Sequence, residues 1–261
     1  MKTRYLSPTQ ISMWCRCPRQ WEFRYVKGLK VPPSGMMFQG RAYHSALATN
    51  FKNKFEKLED MPVDDVVDAY DTYWEAFLRD HRVNDEDEKD EQVEFERVDW
   101  EDREEGEVKD EGIVVLKEYM KKVAHKVTPS LLPEQRKTKK IPRTDIELVT
   151  VPDLITTKVI DHKLAGRRKS QADADNDIQA SLYLYITGLR EFEWHVGVRK
   201  TIPEIQIVET GRTDYQIDWW VDLVKDVAMQ MNTGICPPNP MGWHCSEKFC
   251  GYWNLCRGGS E

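Results

Sequence analysis

The chain has 261 residues and a formal net charge of −7, and it carries nine Trp and ten Tyr. That length can bury a substantial core, and so many large aromatic side chains exclude a disordered chain. No apolar run reaches the length of a membrane span and MKTRYLSPTQ has no apolar signal core, so a cytoplasmic location without a membrane partner is expected, with the six Cys used for metal or cluster binding instead of disulfides.

In chain order, Ser7-Pro8 is a helix start, with Ser as N-cap and Pro in the first turn. The opening LSPTQISMWCRCPRQWEFRYVKGL reads as two short helices broken at Cys17-Pro18, anchored by Trp14, Trp21 and Tyr25. Phe38–Ala48 carries Gly40 and His44. Phe51 to about Val83 is helical by pattern, with Val66, Val67, Tyr70, Tyr73, Trp74 and Phe77 at helical spacing. From Asp85 to Glu111 there are sixteen Asp/Glu and four Lys/Arg, a local charge of −12. The rest of the chain holds 34 basic and 29 acidic residues, so it is mildly basic and compatible with phosphate binding. The acidic run reads as a solvated helix or loop, with a protein partner as its other use. Ile113–Val127 reads as a further helix, and Glu134, ahead of the basic loop Arg136–Lys140, reads as structural.

The most informative stretch is Pro152–Tyr185. Glu147–Ile155 and Val159–Lys163 read as strands on a tight hairpin. Alternation puts Asp161 and Lys163 together on one face, at a solvent-facing edge, while His162 points away. The short connection brings Asp153 toward Asp161. Two adjacent carboxylates repel unless a cation lies between them, and oxygen ligands suit Mg²⁺ or Mn²⁺. Lys163 beside that cation can position an attacking water, help deprotonate it, or offset transition-state charge. After the basic turn Gly166–Lys169, Ile178–Ile186 reads as a helix with Gln179 and Tyr183 on one face. Trp194–Lys200 and Ile205–Thr210 read as strands joined at Pro203. Thr213–Thr233 follows as a helix with Trp219, Trp220, Leu223, Val224 and Val227 at its core. The tail ends with Cys245, Cys250 and Cys256, spaced C-x4-C-x5-C. Thiolates so close call for a soft ion such as Fe or Zn, with a fourth ligand from elsewhere.

PD followed by DxK resembles the active-site signature of the PD-(D/E)xK nuclease superfamily. Q-x-x-x-Y, sixteen residues after the lysine, is similar to the added motif of its RecB-type branch. The Ser-capped, Cys-Pro opening and the Gly40…His44 element resemble further motifs of RecB-type and AddB-type nucleases, in the same order. The resemblance spans nearly the whole chain. It implies an α/β fold of restriction-endonuclease type: a central mixed sheet flanked by helices, an N-terminal helical region and a C-terminal cysteine clasp. Residues 1–261 form one domain on this reading, with a helical and acidic insert over about 50–127 and a Cys-rich tail over 236–256. It implies a metal-dependent exonuclease acting on DNA ends or single strands, standing alone because no Walker A loop is present. Asp153 and Asp161, with His44, would bind Mg²⁺ or Mn²⁺. His44 could instead hold a phosphate. Lys163, Gln179 and Tyr183 complete the catalytic set. Cys17 matches the N-terminal cysteine that joins three C-terminal ones around a 4Fe–4S cluster in the family. The x4 gap departs from the usual C-x2-C-x5-C and leaves a structural Zn²⁺ open, with Cys15 and Cys236 as spare thiols and Cys236 as the substitute ligand. The rival readings are a CRISPR-associated trimming nuclease and, from another class, a catalytically silent Fe–S DNA-binding subunit.

Overall fold

The computed structural model describes residues 5–79 and 98–258. A short strand, β1 (Tyr5–Leu6), leads into α1 (Pro8–Arg16), where Ser7 accepts from the Gln10 N–H and Pro8 fills the first turn. Cys17 is extended, and Pro18 opens α2 (Pro18–Trp21), which continues as a π-helical turn over Glu22–Val26. Trp14 and Trp21 pack edge-to-face in the core with ring centroids 5.1 Å apart, whereas Tyr25, expected as a third anchor, is 39 % exposed.

The helix expected over Phe51–Val83 is two helices. The first, α3 (Gly35–Lys57), starts much earlier and ends at Leu58, whose φ of 64° is left-handed; Pro62 then precedes α4 (Val63–Arg79). Residues 80–97, which include the first half of the acidic run, lie outside the described residues. The next helix, α5 (Glu105–Lys122), begins within the acidic run and not at Ile113, because Val108 already faces the core; it ends at Lys122, and Ala124–Lys126 form a 3₁₀ turn.

The strands form two sheets where one was expected. In the first, β1 runs parallel to β3 (Glu147–Thr150) and β2 (Lys137–Lys140) pairs antiparallel on its other side. The second has the order β4 (Leu154–Ile155), β5 (Val159–Ala165), β6 (Glu191–Val198), β7 (Glu204–Gly211), with β5 and β6 parallel and the outer pairs antiparallel. The run expected as one strand, Glu147–Ile155, therefore divides at Val151-Pro152-Asp153, where Pro152 has no N–H to continue a ladder. Between β5 and β6 lie α6 (Gln171–Asp175) and α7 (Ile178–Thr187); α8 (Asp214–Thr233) and the short α9 (Trp253–Arg257) follow β7.

Alternation along β6 sorts the core into two layers. Phe192, Trp194, Val196 and Val198 join the cluster formed with α1, α7 and α8, while α3, α4 and α5 cover the opposite face. The buried side of α8 is Ile217, Val221, Val224, Val227, Ala228 and Met231. Trp219, expected inside, is 54 % exposed and stacks edge-on against Trp220.

Close seating of α5 on the sheet depends on Gly197. A Cβ there would lie 2.5 Å from Val115 Cγ1 and 3.0 Å from Leu164 Cδ2, so helix or strand would have to shift. Gly197→Ala should lower stability by about 1–3 kcal/mol, read as a shifted denaturant midpoint at unchanged slope; an unchanged midpoint would mean that the contact gives way freely.

Candidate active site

The predicted site residues converge at β4, the edge strand of the four-stranded sheet. Asp153 sits just ahead of β4, and the antiparallel register, Leu154 opposite Ile160, carries it toward Asp161. Asp161 and Lys163 share the β5 face that looks toward α7, and His162 turns to the α5 side, as alternation predicts. The expected solvent-facing edge is not what forms: Asp161 is only 1 % exposed, covered by α7. Asp177 caps α7 by accepting from the Ala180 N–H, which fixes the start of the helix and puts Gln179 over the two β5 residues.

Gln179 is the hub of this face. Its Oε1 accepts from Lys163 Nζ at 2.9 Å, and its Nε2 donates to Asp161 Oδ1 at 2.7 Å and to the Tyr183 hydroxyl at 2.9 Å. Tyr183 then donates to the Val151 carbonyl at 3.2 Å, tying α7 to the break between the two sheets. Lys163 Nζ also lies 2.7 Å from the buried Asp161 Oδ2, an ion pair. Asp153 Oδ2 receives the His162 backbone N–H at 2.7 Å and lies 3.0 Å from His44 Nδ1, brought in by α3.

The two carboxyls titrate in opposite directions. Burial pushes Asp161 up to about 6, reinforced by Asp153 and opposed by Lys163. For Asp153 burial acts upward too, but His44 and His162 outweigh it and hold the carboxyl well below its usual range. Burial disfavours charge on His44, yet the field and hydrogen bond of Asp153 raise it overall. Lys163 is likewise raised against its burial by Asp161, so it stays an ammonium. Glu134, read from sequence as structural, lies next to this site. Its backbone N–H donates to the Asp153 carbonyl, and burial together with the Asp153 charge raises its carboxyl. Only its place between Pro133 and the basic strand β2 hinted at this.

The donor set fits a hard divalent cation: the carboxylates of Asp153 and Asp161, the latter with its Oδ2 paired to Lys163 alone, and the imidazole of His44. Among the described residues, no three His, Cys, Asp or Glu side chains close tightly enough on one point to hold a metal ion as they stand. In their present positions Lys163 pairs with Asp161 and His44 with Asp153.

The cysteines gather elsewhere. Cys17, Cys245, Cys250 and Cys256 line one cavity together with Gln20, and the tail is tied to the N-terminal helices by Asn239 and His244, both bonded to the Arg16 carbonyl at 3.0 Å. Three of the sulfurs accept hydrogen bonds: Cys250 from Gln20 Nε2, Cys17 from the Asn239 N–H and Cys245 from Arg257. Cys236 is buried in the main hydrophobic core, away from this group, and Cys15 is exposed.

The family model for the PD-(D/E)XK nuclease superfamily matches residues 5–257. The chain belongs to that superfamily. Among solved structures, it resembles a protein from Eubacterium rectale described as a candidate exonuclease, with TM-score 0.54 and 12 % identity, covering 99 % of this chain and 90 % of that one. It is also similar to SSO0001, with TM-score 0.44 and 12 % identity, over 100 % of this chain and 89 % of that one. No curated protein matches. At such identities the first likeness concerns the fold, and the mixed α/β architecture agrees with a PD-(D/E)XK nuclease. Among the described residues, no helix is long and apolar enough to cross a membrane.

If Asp161, whose folded pKa is raised to about 6, is a cation ligand, proton and cation would compete for it, and Mn²⁺ affinity should be level above that pH and fall about tenfold per unit below it. Calorimetric titrations from pH 5 to pH 8 check this; a flat profile would show that Asp161 takes no part in binding.

Proposed function

We propose that this PD-(D/E)XK nuclease is a RecB-type, Mg²⁺- or Mn²⁺-dependent deoxyribonuclease that degrades DNA from ends or within single strands. The observation that carries the reading is the closed ring Asp161–Lys163–Gln179, joined through Tyr183 to the backbone just ahead of Asp153. Few uses of a surface DxK would justify burying its carboxylate under a helix with a dedicated amide between the two charges. The exonuclease part is supported by the RecB-type motif order and by the description of the Eubacterium rectale neighbour.

Asp153 and Asp161, with His44, would hold the cation, and Glu134 stands close enough to Asp153 to influence it. A divalent cation there supplies Lewis-acid polarisation of the phosphate and makes water a better nucleophile. The protein's own contribution is positional and electrostatic. Lys163, an ammonium held toward Asp161, offsets negative charge on the phosphate as water attacks phosphorus and the P–O bond to the leaving oxygen breaks. Tyr183 is 6 % exposed, so it and Gln179 act by orienting Lys163 and Asp161 and not by gripping the strand. Gly40 lies one turn before His44 on α3, and the space where its Cβ would be is open, which leaves room for the substrate backbone.

We further propose that the four cysteines Cys17, Cys245, Cys250 and Cys256 hold a 4Fe–4S cluster. The support is the donor set: four sulfurs around a shared cavity with N–H groups aimed at three of them, the environment that tunes cluster-bound thiolates. A zinc clasp needs all four sulfurs at one point, about 2.3 Å from the ion. The cluster would be a structural tie, joining the two ends of the chain.

Two experiments test these readings. Asp161→Ala and Lys163→Met should each reduce Mn²⁺-dependent cleavage of end-labelled single- and double-stranded DNA by about a thousandfold or more; wild-type-like cleavage by Asp161→Ala would remove the site assignment. Anaerobically purified protein should contain iron and sulfide, both lost in Cys17→Ser and Cys250→Ser but retained in Cys15→Ser and Cys236→Ser. One zinc and no sulfide would convert the cluster into a zinc clasp.

A further inference from the structure

The outer face of α1 carries polar groups that the reading above leaves unused. Thr9, Ser12, Met13 and Arg16 recur at helical spacing and line one side of an open groove, and Asp177, Ile178 and Gln179 of α7 line the other. Gln179 is the amide that bridges Asp161 and Lys163, so the groove opens beside the candidate active site. Its floor is apolar, because Met13 and Ile178 pack against the main core. Its rim is polar, with Thr9, Ser12 and Arg16 exposed. The carboxylate that lines it, Asp177, has Oδ1 committed to the Ala180 N–H.

Arg16 is held there from two directions. Its carbonyl accepts from Asn239 Nδ2 and lies 3.0 Å from His244 Nε2, which pins the last turn of α1 to the tail. Its guanidinium Nε donates to Gln20 Oε1 at 3.1 Å. An arginine can only donate, so Gln20 must turn its oxygen to Arg16 and its NH₂ to Cys250 Sγ, 3.1 Å away. Gln20 is buried, and its amide is thereby fixed in one orientation. Among the described residues no carboxylate pairs with Arg16, and neither of its Nη groups has a protein partner. A buried amide is thus spent on orienting an exposed guanidinium whose charge the protein leaves unanswered.

We propose that the groove between α1 and α7 is a subsite for the backbone of a DNA strand, in which Arg16 binds a phosphate next to the scissile one and the Ser12 and Thr9 hydroxyls donate to neighbouring backbone oxygens. This deepens the nuclease reading and rests on it. The chemistry of the groove selects the ligand. A planar guanidinium with both Nη groups free matches two oxygens of one phosphate. Hydroxyls along a helix face suit backbone oxygens and carry no base preference. The apolar floor suits the sugar. From Thr9 to Arg16 the helix rises about 10 Å, at about 1.5 Å per residue, so the contacts follow a length of strand and not one isolated anion. A backbone lying here passes Gln179 and continues toward Lys163.

The test measures binding of a labelled single-stranded oligodeoxynucleotide to the full-length protein in EDTA, where nothing is cleaved, over a range of salt. Arg16→Gln should weaken binding about tenfold and flatten the slope of log affinity against log salt by about 0.7, the loss of one phosphate contact on a single strand. In Mn²⁺-dependent cleavage the same variant should raise KM more than it lowers kcat. Ser12→Asp puts a carboxylate into the groove without touching the Arg16–Gln20 pair and should weaken binding at least as much; it decides the matter should Arg16→Gln fail to fold. Arg79→Gln removes the same charge from the end of α4, in the layer on the other face of the sheet, and should bind as wild type. Wild-type affinity and slope in the groove variants overturn the proposal. An equal loss in Arg79→Gln also overturns it, since overall charge would then account for the attraction. Wild-type protein that neither binds nor cleaves DNA overturns the nuclease reading together with the subsite, whereas cleaving wild type with unaltered groove variants removes the subsite alone.

Discussion

Burial of the Asp161 carboxylate is the constraint on which the rest of the structure depends. Removing an ionised carboxylate from water costs several kcal/mol unless partners replace the lost hydration, and Asp153 close by makes the cost larger. Lys163 answers with charge and Gln179 with a hydrogen bond, but neither is in place until α7 docks over β5. Much of the local construction serves that docking: the Asp177 cap, the Tyr183 bond to Val151, and the apolar side of α7 in the core. The site is therefore preorganised by the same contacts that close the fold on this face.

A second consequence follows from the period of two along β5. One strand delivers Asp161 and Lys163 to one layer and His162 to the other, so the helices on both faces bear on the same pair of carboxylates. On the α5 side, His162 reaches Asp153 through its backbone N–H while its ring enters a buried polar run through Tyr119 and His195 to Glu193. Gly197, two positions beyond His195 on β6, lets α5 come close enough for Tyr119 to lie between the His162 and His195 rings. Packing at a glycine and polarity at a carboxylate are linked through one helix.

The two ends of the chain meet far from the carboxylates. The tail wraps back on α1 and α2 through Asn239, His244 and the ring contact of Phe23 with Tyr252 at 5.4 Å, and the four cysteines line the seam. The apolar cluster there is small, Phe23, Cys250 and Tyr252 with a few neighbours, so little hydrophobic burial holds this seam. A metal centre joining the four cysteines would close a loop of nearly the whole chain, and loop-closure entropy grows slowly with loop length.

The sequence by itself determined whatever depends on near neighbours in the chain. Ser7-Pro8 starts a helix, Pro18 breaks one, Asp161 and Lys163 share a face two residues apart, and Gln179 and Tyr183 share another four apart. These follow from backbone sterics and fixed periods, which operate over one or two turns. The order of motifs likewise marked the superfamily. Tertiary structure decided what depends on distant partners. It split Glu147–Ile155 between two sheets, turned Trp219 outward, extended α5 back into the acidic run and drew Glu134 to Asp153. It also buried Asp161, which alternation alone left facing solvent, because α7 lies across that face. The chain Glu193–His195–Tyr119–His162 spans three elements and has no signature in the sequence. A hydrogen bond between residues 43 or 76 positions apart exists only once helix and sheet have packed.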